Sequence, residues 1–527
     1  MYRKITTLVM SIALTFAANA NLALAQVQTF KQNEIEVKKI DIRGNTVFSD
    51  SELEKITAPV EGQKITIERL FQIKNRIEQY YLDRGYISSG AFLPQQKIES
   101  GDIAIEVVEG SLAVIEIEGL SGLSEKYVTA RLPKLEQPLK VDDLAQALTR
   151  LKEDPLIKEI AAELKLLEPG KNLLSLRVNE SKPIKTQLSF VNTFSPTIGS
   201  LGGSANVMNQ NLLGFGDRAS INYTRTEGLE RYEVGYSFPF NASGGRIDLN
   251  YNNADSELIE EAISALDINA DYQAYKLSIR QPIINRQTEK LNFSVELEKL
   301  ESETFIAEDF SFSFVDGLED GVSRITPLRI SQEYIRRGNS NLVAAESQFN
   351  VGLDLFDATK NESGIDGSFW SWQGNFQWLK AFDEDGDWLL RTNLSTQLSP
   401  DNLLPLEQLT VGGVGSVRGY RQNLIVGDNG IVAVAEGQVP VVRSARWGKV
   451  FIVPFVDFGT IWRNYSEPTN TQSNTLASLG LELNYRIEDF LDARTFYGIP
   501  LLETEDFGDN SSEKRWGFSI SVTPFEF

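Results

Sequence analysis

An arginine and an aspartate, each inside a short glycine-containing pattern, are the residues whose types and spacing most favour a functional contact. The arginine belongs to Val417–Tyr420 (Val-Arg-Gly-Tyr), at the end of a glycine-rich stretch, and the aspartate belongs to Phe455–Gly459 (Phe-Val-Asp-Phe-Gly). A guanidinium stays charged and presents planar donors to a carboxylate, so Arg418 is suited to pin one part of the chain to another. The residues singled out are Val417, Arg418, Gly419 and Tyr420 in the first pattern, and Phe455, Asp457 and Gly459 in the second.

The simplest alternative is that the two patterns are unrelated. Val417–Tyr420 would then be an ordinary surface turn, and Asp457 a strand residue followed by a turn glycine. The functional interpretation is favoured because both patterns occur, in this order, with one predicted strand at 431–441 between them. Neither pattern is predicted to be catalytic, and strands must position both of them.

Composition excludes several classes of catalysis. The 527 residues include no Cys and no His, which excludes thiol and imidazole chemistry and metal sites built on these side chains. Only carboxylate and carbonyl cages for hard cations remain. The acidic cluster at 383–387 is most simply a solvated loop tip, with calcium binding as its alternative. We therefore predict that the protein is not an enzyme and needs no metal or cofactor.

The net charge of the chain limits the kinds of partner that it can bind. The chain carries 73 acidic and 51 basic side chains, a net charge of -22. Binding to phosphate backbones requires clustered Lys and Arg, which release counterions. We predict no nucleic-acid partner.

The first 25 residues are typical of a secretory signal peptide. They combine a positive start, an apolar centre and the small-residue cleavage pattern Ala23–Ala25. An uncleaved membrane anchor is the alternative, but the apolar run is short for a bilayer. A short segment at 26–35 follows. No later segment has eighteen consecutive apolar residues, which leaves an exported soluble protein or a membrane barrel.

An internal repeat predicts two small α/β domains, at 36–110 and 111–180. Ile40–Gly44 and Ile115–Gly119 share a strand-then-glycine pattern, and each is followed by helical segments and a closing strand. In the first repeat, apolar residues at helical spacing predict a helix over 68–82.

Residues 183–527 show a different pattern, with apolar and polar residues alternating in one run after another. Leu291–Leu297 and Tyr275–Ile279 are examples, and turn clusters separate such runs. A transmembrane antiparallel β-barrel of about sixteen strands fits this length, although a soluble β-sandwich would alternate in the same way. The final segment, Trp516–Phe527, predicts a closing strand, with Pro524 at a bulge or strand end.

These features resemble the superfamily of outer-membrane protein translocators and insertases. The Val417–Tyr420 pattern is similar to the tip of the long sixth loop of those barrels, here placed at 401–429, and Phe455–Gly459 is similar to the strand that holds it. The resemblance implies that Asp457 accepts hydrogen bonds from Arg418 and pins the loop to the inner wall. Gly419 would allow close approach to that wall, with Tyr420 packed beside it.

The two repeats resemble polypeptide-transport-associated (POTRA) domains. Within the first repeat, Gly85–Gln96 is similar to a string found in the transporters of two-partner secretion, the family that exports filamentous haemagglutinin and ShlB-type haemolysins. An exposed sheet edge there would offer backbone groups to an extended client. The candidate client-binding residues are Gly85, Tyr86, Phe92, Leu93 and Pro94.

The resemblance implies a fold of two periplasmic α/β POTRA domains followed by an outer-membrane barrel. It also implies a function, the translocation without ATP of an unfolded exoprotein to the cell surface. Expected partners are that exoprotein, outer-membrane lipid and the assembly machinery that inserts the barrel. Since 26–35 leaves little room for the plug helix of some members, loop 6 is expected to be the main obstruction. An assembly factor of the BamA type and a passive porin are the alternatives, and the role of 301–326 stays open.

Overall fold

A computed structural model describes residues 34–261, 264–307, 310–313, 318, 321–361, 365–444, 446–464, 474–503 and 515–524. The predicted signal peptide at 1–25, most of the segment at 26–35 and the terminal Phe527 lie outside these residues. The chain divides into two compact units, Met1–Ser181 and Lys182–Phe527, which we describe separately.

The first repeat is a three-stranded sheet with two helices packed on it. The central strand β5 pairs in parallel with β2 and antiparallel with β4, so β4 is an edge strand. The predicted helix at 68–82 is confirmed, and Ile73 and Ile77 on its inner face are fully buried. The elements are β1 (Glu34–Glu36), β2 (Lys39–Arg43), α1 (Asp50–Thr57), β3 (Lys64–Thr66), α2 (Ile67–Leu82), β4 (Gly90–Phe92) and β5 (Asp102–Val108).

The second repeat has the same three-stranded sheet arrangement with two helices, but its described elements include no counterpart of β1 or β3. Its central strand β8 pairs in parallel with β6 and antiparallel with β7, an edge strand much longer than β4. The elements are β6 (Ser111–Glu118), α3 (Glu125–Thr129), α4 (Val141–Lys152), β7 (Ile157–Glu168) and β8 (Lys171–Glu180).

A carboxylate holds the loop after the first sheet strand in each repeat. Glu109 accepts from the N–H groups of Thr46–Val47 at 2.7 and 2.8 Å and from the hydroxyl of Tyr81 at 2.8 Å. Glu180 accepts from the N–H groups of Ser121–Leu123 at 2.7, 2.9 and 3.0 Å. Burial alone would raise the pKa of both carboxyls, but these donors outweigh burial and hold each pKa below its ordinary value.

The second unit is a closed antiparallel barrel. Within the described residues sixteen strands form its wall, which closes where β28 pairs with β9 over four residue pairs. The wall strands are β9 (Ile184–Val191), β10 (Gly202–Asn209), β11 (Arg218–Thr226), β12 (Leu229–Pro239), β13 (Arg246–Glu257), β14 (Ile268–Asn285), β15 (Glu289–Ile306), β18 (Pro327–Arg337), β19 (Asn341–Gly352), β20 (Trp370–Ala381), β21 (Leu389–Leu398), β24 (Asn429–Ser444), β25 (Gly448–Trp462), β26 (Thr475–Ile487), β27 (Leu491–Pro500) and β28 (Trp516–Val522).

Two connections between wall strands contain strands of their own. The segment at 301–326, whose form the sequence left open, extends the wall as a hairpin: β17 (Val322–Ile325) pairs with Leu300–Glu303 of β15, and β16 (Phe310–Ser311) pairs beyond them. The connection at 399–428, which we call loop 6, contains β22 (Leu409–Val411) paired with β23 (Ile425–Gly427).

The predicted fold class, POTRA-like α/β domains followed by an antiparallel barrel of about sixteen strands, is confirmed. The alternation of apolar and polar residues has a direct structural cause, since successive side chains of a strand point to opposite faces. Among the helices of the described residues, none is long and apolar enough to cross a membrane.

Candidate functional site

The inner face of β25 can be identified from exposure. Val456 and Phe458 are 57% and 40% exposed, whereas Phe455 and Asp457, which alternate with them, are 3% and 1% exposed. Because neighbouring residues of a strand face opposite sides, the exposed apolar pair lies outside and Asp457 points into the lumen. Loop 6 is the segment that covers Asp457 on the lumen side.

Arg418 and Asp457 form a bidentate ion pair. The Nε and Nη2 atoms of Arg418 donate to the two carboxylate oxygens of Asp457, each at 2.8 Å. The backbone N–H of Arg418 adds a third hydrogen bond to the same carboxylate at 3.0 Å. Both side chains are almost fully buried, so the planar guanidinium and the carboxylate compensate each other's charge away from water.

The neighbouring strands complete the surroundings of the arginine. Nη1 of Arg418 lies 2.7 Å from a carboxylate oxygen of Glu436 on β24 and 3.7 Å from one of Glu482 on β26. Its guanidinium carbon lies 3.6 Å from the ring centre of Phe455, a cation–π contact. The motif phenylalanine therefore contacts the arginine directly, which the pattern alone did not indicate.

Gly419 and Tyr420 bring the tip of loop 6 onto the wall. Gly419 has a φ of +91°, and a Cβ added to it would lie 2.8 Å from the carbonyl carbon of Gly498 on β27. The hydroxyl of Tyr420 lies 2.8 Å from the carbonyl oxygen of Ala477 and 2.9 Å from that of Leu502, and it accepts from the N–H of Leu502 at 3.1 Å. Only glycine permits this backbone-to-backbone approach.

Val417 and Gly459 complete the tip. A Cβ on Gly459 would lie 2.5 Å from Cγ1 of Val411 and 3.0 Å from Cγ2 of Val417, so the motif glycine makes room for two loop valines. These valines belong to a small apolar core shared by loop 6 and the wall, whose buried members are Val411, Val417, Tyr420, Ile425, Val432, Ile461 and Leu476. The structure thus brings all seven sequence-predicted residues of the two patterns together.

A cavity with several charged lining residues adjoins the tip. It has a volume of about 220 Å³, and its lining includes Arg391, Glu436, Glu482 and Arg494 beside Arg418. Charged side chains of both signs therefore face the space that loop 6 borders, as expected of a lumen that holds water.

Loop 6 makes two further ion pairs that the sequence did not predict, because their residues belong to no recognisable pattern. Glu407 pairs with Arg329 of β18, and Arg421 pairs with Glu260 in the β13–β14 connection. Each pair joins residues far apart in the chain, of types found throughout it. No local spacing could have found them.

The five predicted client-binding residues of the first repeat differ in exposure. Tyr86 packs its ring against Phe48 at 5.7 Å, and Leu93 packs against the domain core. Phe92, on the edge strand β4, is 42% exposed. Gly85 has a φ of +90° and ends the turn after α2. Pro94 follows β4, where a missing N–H limits further pairing.

The acidic cluster at 383–387 is engaged by cations of the protein itself. Asp383, Asp385 and Asp387 all lie within 3.5 Å of Arg443, and Lys449 lies 2.7 Å from Asp387. Asp387 is nearly buried, so the cluster is only partly the solvated tip that the sequence indicated. Across the described parts of the chain, no group of three or more acidic side chains could hold a metal ion.

Comparison with known families gives two matches. The family described as haemolysin secretion/activation protein ShlB/FhaC/HecB matches residues 170–485, and the POTRA domain, ShlB-type, matches residues 35–110.

Similar proteins agree with these matches. The outer membrane transporter CdiB of Escherichia coli is 24% identical over 464 residues, which cover 84% of this chain and 76% of CdiB. The heme/hemopexin transporter protein HuxB of Haemophilus influenzae is 24% identical over 268 residues, covering 50% of this chain and 44% of HuxB.

Solved structures with the same fold include those of CdiB and BamA. CdiB from Escherichia coli aligns with a TM-score of 0.69 at 20% identity, over 94% of this chain and 92% of that one. BamA from Haemophilus ducreyi lacking POTRA domains 1–3 aligns with a TM-score of 0.58 at 16% identity, over 93% and 100%. At such identities the likeness shows the fold alone.

Proposed function

Since the chain belongs to the haemolysin secretion/activation family ShlB/FhaC/HecB, we propose that it translocates an unfolded haemolysin- or haemagglutinin-like exoprotein to the cell surface. The protein is an outer-membrane transporter with its POTRA domains in the periplasm. The observation that carries the proposal is loop 6, held in the lumen by the buried Arg418–Asp457 pair. No covalent step and no cofactor is part of it.

We infer from the strand order that loop 6 lies on the cell-surface side. The chain enters β9 from the periplasm and the wall strands alternate in direction, so the connections after β9, β11, β13, β15, β19 and β21 lie at the surface. The connection after β21 is the sixth of these. Its tip therefore reaches inward from the surface to Asp457, and a client that passes through the lumen must displace it.

Capture of the client is proposed for the free edge of β4. This strand pairs with β5 on one side only among the described residues. An extended client could add backbone hydrogen bonds there while Phe92 offers an exposed apolar side chain. Gly85 and Tyr86 would support this edge from the preceding turn, with Leu93 and Pro94 ending it. Client folding outside the cell would bias the movement outward.

Arg418→Ala tests the role of the tip. The variant leaves Asp457 buried without its bidentate partner, which is strongly unfavourable. We expect the barrel to stay in the membrane while exoprotein export falls to background. Arg391→Ala is the matched control, because Arg391 faces the same cavity and contacts Glu436 at 3.3 Å but, among the described residues, makes no ion pair with loop 6. Normal export by Arg418→Ala would refute the proposed role.

Deletion of the gene tests the function as a whole. Quantitative proteomics of medium, cell surface and outer membrane should show the loss of one large exoprotein with other barrels unchanged, and this would identify the client. A broad fall in outer-membrane barrels would instead indicate an assembly factor of the BamA type.

A further inference from the structure

We infer that loop 6 has a second anchor, separate from the Arg418–Asp457 tip, which holds its stem across the surface mouth of the barrel. This stem anchor consists of Glu407 paired with Arg329 and of the buried loop residues Leu403 and Leu404. It makes Glu407 and Arg329 positioning residues of the gate. The inference rests on the proposed function only in treating loop 6 as the obstruction.

The Glu407–Arg329 pair is bidentate and buried. The two terminal guanidinium nitrogens of Arg329 donate to the two carboxylate oxygens of Glu407 at 3.0 and 2.6 Å. The side chain of Glu407 is only 2% exposed and that of Arg329 is 14% exposed. A carboxylate so far from water is tolerated only with such a partner, so the pair specifies where the stem lies.

The wall holds Arg329 in place independently of the loop. Its Nη2 lies 3.3 Å from Glu298 on β15, and its Nε lies 3.7 Å from Glu296. Lys276 on β14 balances Glu296 at 3.3 Å. Two glutamates of the neighbouring strand β15 thus hold the arginine, which leaves its terminal nitrogens as a receptor for one carboxylate from the loop.

Apolar packing adds to the ion pair. Leu403 and Leu404, each 1% exposed, pack with Leu300 of β15, with Ile325 of β17 in the hairpin at 301–326 and with Phe369 just before β20. Burial of two leucines with these partners removes apolar surface from water. The stem is therefore covered by wall, hairpin and a neighbouring surface connection.

The two anchors lie on different parts of the wall and share no residue. The stem contacts β14, β15 and β18, and the carbonyl oxygen of Glu407 also accepts from Gln397 of β21 at 2.9 Å, whereas Arg418 contacts β24, β25 and β26. The two anchors also differ in the sign of the charge that the loop contributes: the loop supplies the carboxylate at the stem and the guanidinium at the tip. Release of one anchor should consequently leave the other in place, as expected for sites without shared partners.

Thiol labelling can test this independence because the chain has no Cys of its own. Leu403→Cys reports on the stem and Val417→Cys on the tip; both leucine and valine are buried. Each reporter is combined with Glu407→Gln, with Arg418→Ala or with neither, and intact cells are treated with a membrane-impermeant maleimide. Glu301→Gln is the matched control, since it breaks a pair with Arg324 that does not involve loop 6.

We expect Glu407→Gln to speed labelling at position 403 roughly tenfold and to leave position 417 unchanged, since a lost charged hydrogen-bond pair shifts the open fraction by about that factor. Arg418→Ala should do the reverse, and Glu301→Gln should change neither. The inference is overturned if Glu407→Gln leaves position 403 as slow as in the parent, or if both positions respond to either variant.

Two further measurements test whether each variant is folded and whether a second change at the anchor has the same effect. The mobility shift of the folded barrel on unheated gels reports whether each variant is folded, and Arg329→Lys provides a second perturbation that keeps the charge but loses the planar fork. We expect an intermediate labelling rate at position 403 for Arg329→Lys; the parent rate would count against the anchor. Labelling needs no client, so a failure of export in every strain would contradict the proposed function and not the stem anchor.

Discussion

Loop 6 and the loops of the two POTRA domains are both held by carboxylates, but different donors face these carboxylates. In the POTRA domains, Glu109 and Glu180 accept mainly from backbone N–H groups and hydroxyls. In the barrel, Asp457 faces the guanidinium of Arg418, and Glu407 faces that of Arg329. Carboxylates therefore hold loops in both regions, but their donors are backbone N–H groups and hydroxyls in the POTRA domains and guanidinium groups in the barrel.

This difference in donors distinguishes a contact suited to a permanently folded domain from a contact suited to release. Backbone N–H groups freed from Glu180 would need new partners, which local unfolding provides. An arginine and an aspartate that part in a water-containing lumen become two hydrated ions, each stable without the other. Ion pairs are thus suited to a loop that leaves and returns, as the proposed function requires of loop 6, and carboxylate clamps are suited to domains that stay folded.

The largest expected effect on export comes from a variant that moves the tip of loop 6 away from the barrel wall but changes no charged residue. Gly498 lies on β27, and a Cβ there would come within 2.7 Å of the backbone N and Cα atoms of Gly419. Gly498→Ala should displace the tip and lower export at least about tenfold, because rotation of a side chain cannot relieve a backbone contact. Export is measured as the exoprotein recovered outside the cell.

A second glycine of the wall is the control for that prediction. At Gly437 on β24 the nearest atom to an added Cβ is Cγ of Pro454 at 3.8 Å, an ordinary contact. Gly437→Ala should export normally. Equal export by the two alanine variants would mean that close contact between tip and wall is not needed, and the distinction drawn above would fail.

The sequence predicted the tip because its residues form two contiguous patterns, and the barrel because alternation repeats along the strands. It could not predict the stem anchor, since Glu407 and Arg329 are common residue types brought together only by the fold. The POTRA clamps were also hidden: their donors are backbone N–H groups, which nearly every residue has. What a sequence reveals of a contact depends on whether side chains or main chain supply the donors.

A next, smaller effect concerns the permanent clamp. In Glu180→Gln, an amide NH₂ replaces one acceptor oxygen and faces the N–H groups of 121–123 that the carboxylate now satisfies. We expect the second POTRA domain to lose about 1 to 3 kcal/mol of unfolding free energy. Urea unfolding followed by the helical circular dichroism signal measures it, since all four described α-helices lie in the POTRA domains.

The control for this variant is an exposed glutamate of the same domain. Glu163 pairs with Lys165 at 3.0 Å, and both side chains are more than half exposed, so Glu163→Gln should leave the unfolding midpoint nearly unchanged. A Glu180→Gln domain as stable as Glu163→Gln would show that the clamp does not hold the loop.

Acid should weaken the clamps in a defined direction. The native pKa of Glu109 and that of Glu180 are held below their ordinary value, so folding is favoured while both are ionised. Their contribution is complete above the unfolded glutamate pKa of about 4.3 and is lost as pH falls through the lowered native pKa. The same urea assay at stepped pH should show this loss, and Glu180→Gln should show a smaller one. A pH response identical to the parent's would contradict the assignment to Glu180.

The smallest expected effect tests whether the tip also depends on neutral donors. Tyr420→Phe keeps the ring in the apolar core but removes the hydroxyl that accepts from the N–H of Leu502. The carbonyl of Ala477 keeps a donor, the N–H of Leu501 at 2.8 Å, so the variant loses about 1 kcal/mol of tip attachment and export falls a few-fold rather than to background. Tyr485→Phe makes the same chemical change where the hydroxyl donates to the carbonyl of Trp447, in a turn away from loop 6, and should export normally. A loss of export by Tyr420→Phe as complete as that of Arg418→Ala would mean that a neutral hydrogen bond holds the tip as firmly as the ion pair, and the contrast between releasable and permanent contacts would then not follow donor charge.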